Sequence, residues 1–228
     1  MALPAARLSL LRRRENAPNL LAAWGFNESS GTTVRDSSLH SLPLTVDAGL
    51  TWPAGHSGGT AIANSSGSGS AHRAWSSLAV PVTLMGWARP LNLTSGTSRP
   101  LFGVWSGTDT STSTQFAIWA QRSDFSTSNV LQGNVRVSGG LVAVNQSALA
   151  LNTWVHVALS YDGTTIRLYR DGSEVASFVV TGSINAGSFN MLVVPDSSFA
   201  EVDDVRIYSK TLTVNEIKAA MGNPVVEP

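Results

Sequence analysis

The chain has 228 residues, with fifteen Lys+Arg against fifteen Asp+Glu, four His and no Cys. Zero formal charge removes the overall basic field that nucleic-acid binding uses, and the lack of cysteine excludes disulfides, thiolate metal sites and cysteine nucleophiles. No apolar run approaches the roughly 18 residues of a membrane span, and the length suits one large all-β domain or two small ones, enough to bury a core.

Residues 1–18 differ in kind from the rest. Leu3, Arg7, Leu10, Leu11 and Arg14 could lie along a short helix, Arg12-Arg13-Arg14 concentrates charge at its end, and Asn16-Ala17-Pro18 breaks the pattern. Residues 1–15 hold four Arg and one Glu, leaving eleven positive and fourteen negative charges in the remainder. This predicts an extended or helical N-terminal docking arm over 1–18, with Arg7, Arg12, Arg13 and Arg14 as its partner contacts; the alternative is a solvated, frayed terminus. The arginines follow the short apolar stretch and Pro4 breaks it, so a secretory signal is not expected.

From residue 19 onward Ser and Thr together number 49 of the chain's 50, and Lys numbers only two, a balance that favours short strands and turns over helices. Strand-like runs fall at about 20–26, 42–46, 82–89, 100–105, 115–121, 129–137, 140–145, 154–161, 164–170, 173–180, 189–194 and 201–208. Asp162-Gly163 and Asp171-Gly172 are hairpin signals that join three of these runs into consecutive antiparallel strands. In TIRLYR, Ile166 and Leu168 share one face while Arg167 and Tyr169 share the other. A dozen such strands need two packed sheets to cover their apolar faces, so the expected fold is all-β: a two-sheet antiparallel β-sandwich, or jelly roll, over 19–228. One helix signal closes the chain, with Thr213 and Glu216 at capping-box spacing, Ile217 and Met221 on one stripe, and Gly222 and Pro224 as the stop.

Seven tryptophans divide by context. Trp24, Trp87, Trp105, Trp119 and Trp154 fall inside strand patterns and are expected in the core, as is His156 as a structural residue. Trp52 and Trp75 stand in Gly/Ser-rich connections and are the expected ligand-stacking residues. The four histidines are scattered without metal-ligand spacing, and neither a Gly-x-Ser-x-Gly elbow nor a phosphate-cradling loop is present.

Over about 20–221 the chain resembles the laminin-G-like, concanavalin A-like jelly-roll family. The residues that carry the likeness are Trp24-Gly25-Phe26-Asn27-Glu28 with Gly31 and Asp36-Ser37-Ser38, then VTLMGWARP at 82–90, NTWVHVALSYDGTTIRLYRDGSEVA at 152–176, and EVDDVRIYSKTLTVNEIKAAM at 201–221. Leu39-His40-Ser41 stands where relatives usually carry Gly-Asn-Gly. The resemblance implies two curved sheets of six or seven strands, a face or rim that binds glycan or protein, and often one calcium ion, for which Asp36 and Asp203 occupy positions that relatives use. Some relatives are glycosidases, but the retaining signature Glu-x-Asp-x-x-Glu is absent; Glu201 and Asp203 share a strand face, and Arg206 is the expected partner of a neighbouring carboxylate. The chain is therefore expected to be no enzyme. With the basic arm, the reading is a non-catalytic bacteriophage virion protein, tail-associated and oligomeric in the particle, held to other virion proteins by 1–18 and gripping a host cell-surface glycan, with calcium as candidate cofactor. The alternatives are a capsid decoration protein and a secreted, extracellular carbohydrate-binding module.

Overall fold

The computed structural model describes residues 17–226 apart from 76–77, 94–98, 108–112, 122–129, 139, 147–148, 185–186 and 196–197. Arg7, Arg12, Arg13 and Arg14 of the expected arm lie outside the described residues. The chain begins with β1 (Leu20–Trp24), β2 (Thr33–Val34), β3 (Leu44–Val46), β4 (Ile62–Asn64) and β5 (Ala71–Trp75). The longer strands β6 (Val82–Pro90), β7 (Arg99–Trp105), β8 (Thr114–Gln121), β9 (Leu131–Val137) and β10 (Gly140–Gln146) follow. The last third holds β11 (Val155–Tyr161), β12 (Thr165–Arg170), β13 (Ser173–Val179), β14 (Phe189–Val193), β15 (Ala200–Tyr208) and the helix α1 (Val214–Met221).

These strands make two antiparallel sheets. The first has seven strands in the order β1-β15-β6-β11-β12-β13, with β4 also paired to β15; the second has eight, in the order β10-β9-β8-β7-β14-β5-β3-β2. The expected sandwich is present. The expected β11-β12-β13 meander is also present, and its second turn, Asp171-Gly172, has both residues at positive φ, 49° and 73°, the backbone of a two-residue hairpin. In the first turn, Asp162 Oδ1 accepts the Thr164 and Thr165 N–H groups at 2.8 Å each and so closes a three-residue loop. The short strands β2, β4 and β5 were not expected from the sequence. Trp75 therefore ends a strand instead of standing in a connection.

The main core lies between the sheets and is filled from both by alternate residues, including Val82, Leu84 and Ala88 of β6, Val157 and Leu159 of β11, and Phe102, Phe116, Ile118 and Met191 of the second sheet. Trp24 and Trp75 meet edge to face within it, with centroids 6.3 Å apart. A second apolar cluster covers part of the first sheet's outer surface, where Met85, Ala158, Tyr169 and Tyr208 pack beneath Leu212, Ile217 of α1 and Val225. The helix starts at the expected capping box: the Thr213 side chain accepts the Glu216 N–H, and the Glu216 side chain accepts the Thr213 N–H.

Strand β15 sets the geometry of everything that follows. Along one edge it pairs first with β4, through Ala200–Val202, and then with β1, through Val205–Tyr208. At the handover the register against β6 shifts between Asp203 and Arg206, and Asp204 takes φ 51°. The extra residue reverses the side-chain phase. Ala200 and Val202 face the core before the bulge, and Val205 and Ile207 face it afterwards.

Candidate functional site

The first sheet carries a row of polar and aromatic side chains on its outer face, beyond the part covered by α1. The pairing register puts Asp203 opposite Trp87 and Glu201 opposite Arg89, while His156 lies opposite Trp87 on the other side. These three strands thus bring together residues 45 to 116 positions apart. The loop 53–60 closes over them. Gly55 is required there by close approach, because a Cβ at this position would stand 2.6 Å from Asp203 Oδ2 and 2.8 Å from the Thr60 carbonyl oxygen.

With Gly55 in place, the His56 N–H donates to Asp203 Oδ2 at 2.9 Å and the His56 ring stacks on Trp87, centroids 3.4 Å apart and planes 13° apart. Trp154, just ahead of β11, meets the His56 ring edge to face at 5.9 Å and has the Arg89 guanidinium 5.7 Å from its centroid. Arg89 forks onto Glu201, Nε to Oε2 at 2.5 Å and Nη2 to Oε1 at 2.7 Å. Trp87, Trp154, His56 and Arg89 are all half-buried, so each keeps a solvent-facing part.

Beneath them lie two groups with displaced protonation equilibria. Asp203, 2% exposed, has its carboxyl pushed up to about 7 by burial and by the neighbouring Asp204 carboxylate, against the pull of the His56 and Asp204 N–H groups and Arg206. His156, 1% exposed, is pushed down to about 3 by burial, with Arg206 and His56 adding to the shift. Neither of its ring nitrogens has a hydrogen-bond partner among the described residues.

The sequence-predicted residues fare unevenly. Trp75 is 8% exposed and packs in the core, and its remaining surface borders a cavity. Trp52 is half-buried and packs against the same core. Trp87 and Trp154 are corrections, since they were expected in the core and instead form the half-exposed aromatic surface. Trp24 sits in the main core as expected; Trp105 and Trp119 are buried on the outer face of the second sheet, edge to face at 5.9 Å, next to the hydrogen bond that Gln132 Nε2 donates to Asn145 Oδ1 at 2.7 Å. Glu201 has Arg89 as its partner, while Arg206 acts electrostatically on the Asp203 carboxyl and its Nη2 donates to the Asn223 carbonyl oxygen at 2.5 Å.

Asp36 and Asp203 belong to separate hydrogen-bond systems. Asp36 Oδ1 accepts from Ala23 N and Ser38 N, and Oδ2 from the Ser38 hydroxyl and Leu42 N, so both oxygens already have two donors each. Asp203 Oδ2 accepts from His56 N and Oδ1 from Asp204 N. Among the described residues no group of three or more His, Asp or Glu could hold a metal ion. Of the pair expected on one strand face, Glu201 is held by Arg89 and Asp203 is buried beneath the loop, so these two do not face a common sugar in the way that glycoside hydrolysis uses two carboxylates.

The comparisons agree with this fold. A family model described as the concanavalin A-like lectin/glucanases superfamily matches residues 64–218, more than half of the chain. Domain 4 of an extracellular GH43 arabinanase from Geobacillus stearothermophilus, solved in complex with arabinotriose, is similar at 17% identity and a TM-score of 0.65, over 89% of this chain and 98% of that one. The binding domain of Paraclostridial Mosquitocidal Protein 1 is similar at 17% identity and a TM-score of 0.65, over 88% of this chain and 51% of that one. A sialidase from Trypanosoma rangeli, in complex with the inhibitor DANA, is similar at 14% identity and a TM-score of 0.62, over 87% of this chain but 32% of that one. At these identities the likeness is one of fold. This chain spans about half of the toxin domain and a third of the sialidase. No curated protein matches the chain by sequence.

Proposed function

The chain belongs to the concanavalin A-like lectin/glucanase superfamily, and from that premise we propose that it is a non-catalytic glycan-binding domain. The observation that carries the reading is the half-exposed aromatic surface of Trp87, Trp154 and His56 beside the Arg89–Glu201 pair. Aromatic rings offer a flat apolar platform for the C–H face of a sugar, and the half-buried guanidinium of Arg89, held in place by Glu201, offers a donor for its hydroxyls. That the arabinanase domain was solved with an arabino-oligosaccharide supports the substrate class without fixing the sugar. The locked state of Glu201 and the burial of Asp203 support a binding role over a hydrolytic one.

The virion setting expected from the sequence draws on residues 1–18, and the arabinanase, toxin and sialidase domains give it no support. Retention of the full chain on immobilised polysaccharides, with arabinotriose as soluble competitor, tests the glycan reading. Trp154→Ala should weaken retention by about 1–3 kcal/mol, the scale of aromatic stacking on nucleobases, while leaving the melting temperature nearly unchanged. Retention equal to that of the wild type in both Trp154→Ala and Trp87→Ala would overturn this site.

A further inference from the structure

The sandwich has an opening on a different side, where the edge strand β1 of the first sheet meets β5 and β14 of the second. A cavity of about 460 Å³ lies there, within the size range of small-molecule sites. Its walls are apolar, formed by Leu21, Leu42, Trp75 and Phe189, and its polar side chains are Arg73 and, at the exposed rim, His40 and Ser188. Residues from both sheets and from the 39–43 segment thus converge on one concave space.

Arg73 gives the cavity its chemical character. Its Nε donates to the Ala74 carbonyl oxygen at 3.2 Å and its Nη1 to the Pro43 carbonyl oxygen at 3.1 Å. These bonds fix the plane of the guanidinium, and its centre lies 6.0 Å from the Trp75 ring. Nη2 has no acceptor among the described residues. Burial lowers the Arg73 pKa, which marks a cation partly stripped of water, while the Asp36 carboxylate nearby opposes that shift. Asp36 does not compete for the guanidinium, because its two oxygens are occupied by donors from residues 23, 38 and 42. A held guanidinium with free donors, at the mouth of an apolar cavity, is matched by a ligand that carries an anionic group on an apolar-faced ring.

We propose that this cavity is a second saccharide site, selective for carboxylated pyranoses: Arg73 receives the carboxylate, and Trp75, Phe189, Leu21 and Leu42 receive the ring. The assignment rests on the glycan-binding reading and deepens it by naming an acidic sugar class and a separate location. Chemical-shift titration of the full chain with glucuronate, glucose and inorganic sulfate tests it. Glucuronate should bind at least tenfold more tightly than glucose, with the shifts centred on Trp75 and Phe189. Arg73→Gln should erase that preference, and Leu42→Trp, which fills the cavity, should abolish binding of both sugars, each with an unchanged far-ultraviolet spectrum. Equal binding of glucuronate and glucose, or glucuronate binding that survives Arg73→Gln, would overturn the proposal. Sulfate binding as tightly as glucuronate would reduce the site to a plain anion site and overturn it too. Loss of glucuronate binding in Trp154→Ala but not in Arg73→Gln would move acidic-sugar recognition to the first site and keep the general reading, whereas a chain that binds no saccharide at all would remove both.

Discussion

Strands β6, β11 and β15 present two very different surfaces on the same outer face. At one end Met85, Ala158 and Tyr208 lie dry beneath α1, together with Tyr169 of the neighbouring β12. Two residues further along β6 and β11, in the same row, stand Trp87 and His156, with Asp203 and Glu201 of β15 beside them. The inner face of these strands is uniformly apolar and does not distinguish the two ends. What distinguishes them is the cover: a capped helix at one end, and at the other a glycine-containing loop whose backbone must serve a buried carboxylate. Apolar cover makes the first region a source of stability; polar, half-open cover makes the second a surface with chemistry.

The sharpest way to break the contrast is to strip the dry end. Ile217→Ala removes a fully buried side chain from beneath α1 and should cost about 2–5 kcal/mol, measured by urea unfolding, with glycan retention unchanged at temperatures where the fold persists. A loss below about 1 kcal/mol would mean that the helix is only loosely seated.

The second test is pH. Asp203, raised to about 7 from an ordinary 3.8, contributes stability that is fully present below 3.8 and lost as pH rises through 7. His156, lowered to about 3 from an ordinary 6.5, contributes stability present above 6.5 and lost as pH falls toward 3. Between pH 4 and 6.5 the two oppose each other. Asp203→Asn should leave the histidine alone, so that stability climbs with pH by up to about 1.4 kcal/mol per unit; His156→Gln should show the reverse slope. Unfolding free energies at pH 4.5 and 6.5 decide between these slopes and a pair that does not titrate.

Smaller effects sharpen the comparison. Thr213→Ala removes the helix cap and should cost about 1 kcal/mol. Trp154→Ala, at the half-open end, should cost still less, well short of the roughly 3–5 kcal/mol that a core tryptophan such as Trp24 would cost by thermal melting. Comparable losses for Trp154 and Trp24 would make the aromatic surface part of the core after all.

Much of the fold was legible because its signals are local. The Asp-Gly turns, the Thr213–Glu216 box and the alternation of β12 each depend on residues a few positions apart. The short strands β2, β4 and β5 escaped because two to five residues with His, Arg, Asn or Thr among them carry too little periodicity to stand out from a loop. The site was less legible for a different reason. Alternation shows that Trp87 and Leu84 face opposite ways, but not which side is covered, and that is decided by α1 and the 53–60 loop, far away in sequence. The bulge at Asp203-Asp204 compounds this. Strict alternation through EVDDVRIY would set Val205 and Ile207 beside Asp203, whereas the extra residue sends them to the core and turns Arg206 outward, where it reaches Asn223.

The pairing of β1 with β15 bears on how the domain answers to force. Leu20, the first residue of β1, lies opposite Tyr208, the last of β15, so tension entering from the two ends of the sandwich arrives at the same end of this antiparallel pair. Such a load separates the strands one hydrogen bond at a time, as a zipper opens, instead of shearing the whole ladder at once. Before it reaches the pair, it must first free the clasp in which Val225 donates to Asp204 Oδ1 and accepts from Asn27 Nδ2. Pulled by its ends, the domain should therefore yield in two steps at low force, a clasp release and then a peel, and single-molecule extension would show a small early rise before the main unfolding event.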